Sequence, residues 1–108
     1  MANPMKGEAQ LGDYTLTFNF GVFCSLEVKA GMKMPQLLNA LGEGLGFGEL
    51  RDFVWAGLQP KHEGITDEGV AQLIDETGFE VAAAAVGKAV SGFFGSQKEK
   101  AKNPPKAA

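Results

Sequence analysis

From Tyr14 to Phe20 the chain alternates without a break. Tyr14, Leu16, Phe18 and Phe20 are large and aromatic or aliphatic, and the residues between them, Thr15, Thr17 and Asn19, are polar. A period of two in residue types that favour strands predicts a half-buried β-strand. Just upstream, Gly12-Asp13 can supply the positive φ angles of a tight turn, so residues 7–11 are expected to pair back as the first strand of a hairpin. A lone hairpin is marginal in water, so its aromatic face has to pack on something else. The remaining elements are all helical in pattern. The expected fold class is therefore α+β: an N-terminal β-hairpin, about residues 7–20, packed on a bundle of four to five short α-helices.

The helices follow from spacing and punctuation. Residues 20–30 put Val22, Phe23, Leu26 and Ala30 on one stripe, with Asn19 as N-cap and Gly31 as C-terminal cap. A second helix, about 35–42, starts at Pro35, which is tolerated in the first turn, and turns Leu37, Leu38 and Leu41 inward. The third, 47–58, reads FGELRDFVWAGL. At about 100° per residue, Leu50, Phe53, Val54, Gly57 and Leu58 share its inner face, while Trp55 lies about 60° past Leu58 at the stripe's margin. The fourth, about 66–77, is capped by Thr66, has Asp67 and Glu68 in its first turn, and buries Val70, Leu73 and Ile74. The last, 79–94, repeats apolar residues at Phe79, Ala82, Ala83, Val86, Val90, Phe93 and Phe94, with Gly78 before it. One domain over residues 1–95 is expected, followed by a disordered basic tail over 96–108, where periodicity is lost and two prolines adjoin.

Charge divides along the same line. Residues 1–96 carry 6 Lys/Arg against 12 Asp/Glu, and residues 97–108 carry 4 Lys against 1 Glu. An acidic body repels a phosphate backbone, which argues against nucleic-acid binding by the folded part. The single cysteine cannot form an internal disulfide, and no apolar stretch approaches the roughly 20 residues of a membrane span. A cytoplasmic protein with no membrane partner is expected.

No constellation for catalysis is signalled. His62 is the only histidine and is read as an exposed loop residue beside Glu63; with no neighbouring Cys or His it gives no metal site. Cys24 lacks a base near it in sequence and is read as a small, semi-buried packing residue. The break GEGLGFG between the second and third helices lacks the Lys-Ser/Thr pair of a phosphate loop and has no strand before it. Acidic pairs stand at Asp67-Glu68 and Asp75-Glu76. The second pair sits at a helix C-terminus, where it opposes the dipole, and a partner's basic group could answer it. No catalytic residue, cofactor or small-molecule substrate is assigned.

What remains is aromatic excess. The chain has eight Phe and one Trp in 108 residues. Phe47, Trp55, Phe93 and Phe94 fall near helix ends or stripe margins, and with Leu58 beside Trp55 they are the candidate partner-contact residues.

The order of these pieces resembles a family. Tyr14-Thr-Leu-Thr-Phe leads into Cys24-Ser25-Leu26-Glu27; Leu50-Arg51 precedes Val54-Trp55-Ala56-Gly57-Leu58; Thr66-Asp67-Glu68 precedes Leu73-Ile74-Asp75; an alanine-rich helix follows. This is similar to the small tail proteins of phages and gene transfer agents, grouped as tail-assembly-chaperone-like and in some naming as tail tube proteins. The resemblance covers roughly residues 7–94 and does not extend to the lysine- and proline-rich end. It implies a non-enzymatic part in building a phage-type tail in a bacterial host. The partners it implies are the tape-measure protein and the tail tube subunit, bound through apolar contacts. Two other readings stand beside it: a structural tube component that self-associates, and a small nucleic-acid-binding or regulatory domain that uses the basic tail. Tube subunits are usually β-rich, which favours the chaperone.

Overall fold

The structure is a computed structural model that describes residue 3 and residues 6–102, the side chains of 98–102 excepted. Two strands are followed by five helices: β1 (Glu8–Leu11), β2 (Tyr14–Thr17), α1 (Phe20–Ala30), α2 (Met34–Glu43), α3 (Phe47–Leu58), α4 (Asp67–Thr77) and α5 (Phe79–Lys102). The expected α+β class, a hairpin followed by helices, is what the chain adopts.

The strands pair antiparallel, with Leu11 opposite Tyr14 and Ala9 opposite Leu16. That register leaves Gly12 and Asp13 as a two-residue turn, with φ of 61° at Gly12 and no positive φ at Asp13. Leu11 and Leu16 are fully buried, and Phe18 just beyond the strand is too. The alternation does not carry on to Phe20, which is 77% exposed. The reason is local. The Asn19 side chain accepts the Val22 N–H at 2.9 Å, which starts α1 one residue later and turns Phe20 outward as that helix's first residue.

Helix α3 is the hub. It packs against β2, α1, α4 and α5, while β1 lies along α5. Leu50, Phe53, Val54, Ala56, Gly57 and Leu58 are all buried in it. Gly57 allows a close approach: a Cβ there would stand 2.8 Å from the Phe18 ring and 3.3 Å from Leu16. The hairpin therefore rests on α3 through Phe18, whose ring also lies 5.5 Å from Phe23 and 6.3 Å from Phe53. Ala82, Val86, Ala89 and Val90 close the core from α5, and the small alanines let β1 come near that helix.

Caps agree with the sequence at α1 and α4. Gly31 ends α1 with φ of 68°, and Thr66 Oγ1 accepts the Gly69 N–H at 3.0 Å. Three expectations need correcting. Leu38, expected to face inward, is 40% exposed, and Leu37 alone is the buried residue of α2. A helix that packs mainly along α1 has one narrow contact line, which Leu37 fills. Second, α5 runs to Lys102 rather than stopping near 94, so residues 96–102 of the expected disordered tail are helical. Gln97, Lys98, Glu99, Lys100, Ala101 and Lys102 are all good helix formers, so the helix propagates past its last apolar contact. The rest of that expected tail, residues 103–108, lies outside the described residues. Third, Cys24 is exposed rather than semi-buried.

Candidate functional site

The most exposed aromatic surface is built from two helix starts. Phe47 is the first residue of α3. Its preceding turn is fixed by Glu49, whose Oε1 accepts the Gly46 N–H at 2.7 Å, and by the Leu50 N–H donating to the Gly46 carbonyl at 2.8 Å. Phe79 is the first residue of α5. It follows Gly78, whose N–H closes α4 on the Ile74 carbonyl at 2.7 Å. A side chain at a helix start has no preceding turn to lie against, so both rings project from the body. The packing of α3 against α4 and α5 brings them together. Their centroids are 5.1 Å apart with an interplanar angle of 81°, an edge-to-face pair.

Phe47 is 82% exposed, Phe79 37% and the neighbouring Val81 55%. On one side of the pair runs a shallow depression lined by Leu45, Gly46, Gly78, Glu80 and Val81. On the other lies a second, lined by Leu50, Arg51, Ala71, Ile74 and Asp75. The charges around the rings are mostly negative. Asp75 and Glu76 are exposed in the last turn of α4, which carries no basic residue there, and Glu80 opens α5. The one cation in the lining is Arg51, whose guanidinium stands 3.5 Å from Asp52.

The other expected contact residues sit differently. Trp55 is half-buried, and Lys29 Nζ lies over its ring at 4.6 Å from the centroid. That ammonium is held by Asp67, with Nζ 2.9 Å from a carboxylate oxygen, so one face of the indole is occupied within the chain. Phe93 and Phe94 are half-buried on Phe23, at centroid distances of 5.0 and 5.6 Å, and join α5 to α1. Leu58 is fully buried and cannot meet a partner; the helix's inner face takes it because Leu50, Val54 and Leu58 fall on one line at spacings of four.

Beside Phe93 and Phe94 runs a groove lined by Phe20, Phe23, Cys24, Glu27 and Met34. Phe23 forms its buried floor, and Phe20 and Cys24 stand exposed at its edge. Phe79 was expected within the buried repeat of its helix and instead completes the exposed pair. The signal for it is in the sequence: Gly46-Phe47 and Gly78-Phe79 are the same arrangement, a phenylalanine opening a helix directly after a glycine turn.

His62 is not a free loop residue. Its Nε2 accepts the Thr15 N–H at 3.1 Å, and its ring meets Tyr14 edge-on at 4.8 Å. The loop before α4 is thereby tied to the hairpin, a role in packing. Among the described residues no group of three or more His, Cys, Asp or Glu is placed to hold a metal ion, and no helix is long and apolar enough to cross a membrane.

No family model, curated protein or solved structure matches this chain. The surface around Phe47 and Phe79 is therefore judged on its own chemistry. It is an apolar, aromatic, acid-rimmed patch where α3, α4 and α5 pack together. Such a patch can bury area against another protein, since two edge-to-face rings lose little conformational entropy on contact.

Proposed function

We propose that this chain is a non-enzymatic tail assembly protein of the phage and gene-transfer-agent type. It acts in the bacterial cytoplasm and binds tape-measure or tail tube proteins through apolar contacts during tail morphogenesis. The single observation that carries the binding role is the Phe47–Phe79 pair. A phenylalanine left 82% exposed at a helix start, paired with a second ring, keeps apolar surface in water that contact with another protein would bury. The partner class comes from the resemblance in residues 7–94, above all the Trp55-Ala56-Gly57-Leu58 segment with Leu73-Ile74-Asp75 downstream.

Co-expression with a phage-type tape-measure protein, followed by affinity capture and gel filtration, tests the reading. A soluble complex is expected where the tape measure alone is insoluble. Absence of a complex, together with large self-assemblies of this chain, would replace the chaperone by a tube component. The complex is expected to weaken with Phe47→Ala.

A further inference from the structure

We infer that the Phe47–Phe79 surface is a docking site for a cation-flanked apolar segment of a different protein: an amphipathic helix that places a large aliphatic or aromatic side chain between lysines or arginines. This deepens the binding role proposed above and rests on it, but not on the identity of the tail partner.

The apolar half of the match is the pair of rings with Val81, Leu45 and Ile74 around them. The charged half is the rim. Asp75 and Glu76 stand at the C-terminal end of α4, where the free carbonyls already make the potential negative and no basic side chain in the last turn offsets it. Glu80 adds a third carboxylate on the opposite side of the rings, and Glu49 a fourth beside Gly46. The opposing cation, Arg51, has Asp52 beside it. Asp75 and Glu76 sit where the α4 dipole disfavours them, whereas Glu49 and Glu80 lie in the first turns of α3 and α5, where it favours them; a partner's cations would offset the cost of the α4 pair.

The charge also decides which occupant fits. The lysines in the last turns of α5 are carried away from the rings. Helix α5 leads away from Phe79 for 24 residues, about 35 Å at 1.5 Å per residue. A second copy is disfavoured by charge: its residues 1–96 carry 6 Lys/Arg against 12 Asp/Glu, so docking it here would set acid against acid. The surface asks for both features in one segment, and a cationic segment of a different protein fits that charge best.

The test uses three labelled peptides of about 18 residues, long enough to fold as helices on contact. They share one amphipathic pattern and are composed of Leu/Lys, Leu/Glu or Ala/Lys. Fluorescence anisotropy against the full chain is expected to show binding of Leu/Lys, with Leu/Glu and Ala/Lys at least about tenfold weaker. Phe47→Ala is expected to weaken Leu/Lys binding about tenfold. Asp75→Asn with Glu80→Gln is expected to weaken it several-fold and to flatten its dependence on salt. Circular dichroism of each variant checks the fold. Phe47 carries the test even where a Phe79 variant is poorly folded, because Phe47 makes little contact with the core.

Equal binding of Leu/Lys to wild type and Phe47→Ala, or equal binding of Leu/Glu, would overturn the assignment. So would self-association in sedimentation that disappears with Phe47→Ala, which would make a second copy the occupant. The two proposals fail separately. Peptide binding at Phe47 without a tape-measure complex removes the tail reading and keeps the docking site. A tape-measure complex indifferent to Phe47→Ala does the reverse.

Discussion

Gly57 and Phe47, ten positions apart on one helix, are opposite cases of what a single residue does here. At Gly57 the hairpin comes so close that a methyl group would press into the Phe18 ring at 2.8 Å. Gly57→Ala is therefore expected to destabilise the fold by about 1–3 kcal/mol, despite alanine's better helix propensity. Phe47→Ala is expected to change the unfolding free energy measured in urea by no more than about 0.5 kcal/mol, since its ring is mostly in water. Phe53→Ala, deep in the core, should cost about 3–5 kcal/mol. A large loss for Phe47→Ala would make that ring part of the fold and remove the reason to read it as a contact. Single-residue burial was only partly legible in the sequence. The inward line of α3 through Leu50, Val54 and Leu58 follows from spacing, and the same spacing excludes Leu58 from any surface. His62 could not be placed that way, because its partner Thr15 belongs to the hairpin. Lys29 over Trp55 is equally a product of tertiary packing.

At the scale of elements, starts were easier to read than ends. Asn19 and Thr66 cap α1 and α4 by accepting backbone N–H groups three residues on, a local geometry that the sequence specifies directly. Asn19→Ala and Thr66→Ala are each expected to cost about 1 kcal/mol in urea unfolding, with the fold retained. Loss of less than a few tenths in both would mean that the helices are held by packing alone. The end of α5 was not legible. Periodicity stops near Phe94, but helical propensity continues to Lys102, and the backbone follows propensity where packing no longer decides. The strand shows the converse. Its alternation extends to Phe20, yet the cap at Asn19 takes over first and hands that residue to the helix.

For the whole molecule, two ionic contacts fasten peripheral parts to the body. The Lys29 ammonium holds the Asp67 carboxyl below its ordinary range by a hydrogen bond, and joins α1 to the start of α4. The Asn3 backbone N–H does the same for Glu8, with Lys61 at 3.3 Å adding to it. A carboxyl depressed in the folded state stabilises fully above its unfolded value, and the contribution disappears as pH falls through the folded one. Stability to urea is thus expected to decline as pH drops below about 4, and to decline less in a Glu8→Gln, Asp67→Asn double variant. An unchanged acid slope in that variant would show that these two groups do not set it. The α+β architecture at this scale was legible from a period of two giving way to periods near 3.6. The juxtaposition of Phe47 with Phe79 was not, because it exists only after α3, α4 and α5 have packed.

The central claim is that this exposed pair is where a partner binds. Amide hydrogen exchange on the chain, free and in the complex proposed to form on co-expression with a tape-measure protein, tests it most directly. Added protection is expected at residues 45–50 and 75–82, the two helix starts and the end of α4, with the rest of the chain little changed. Protection confined to the groove beside Phe20, Phe93 and Phe94, with none around Phe47 and Phe79, would contradict the account.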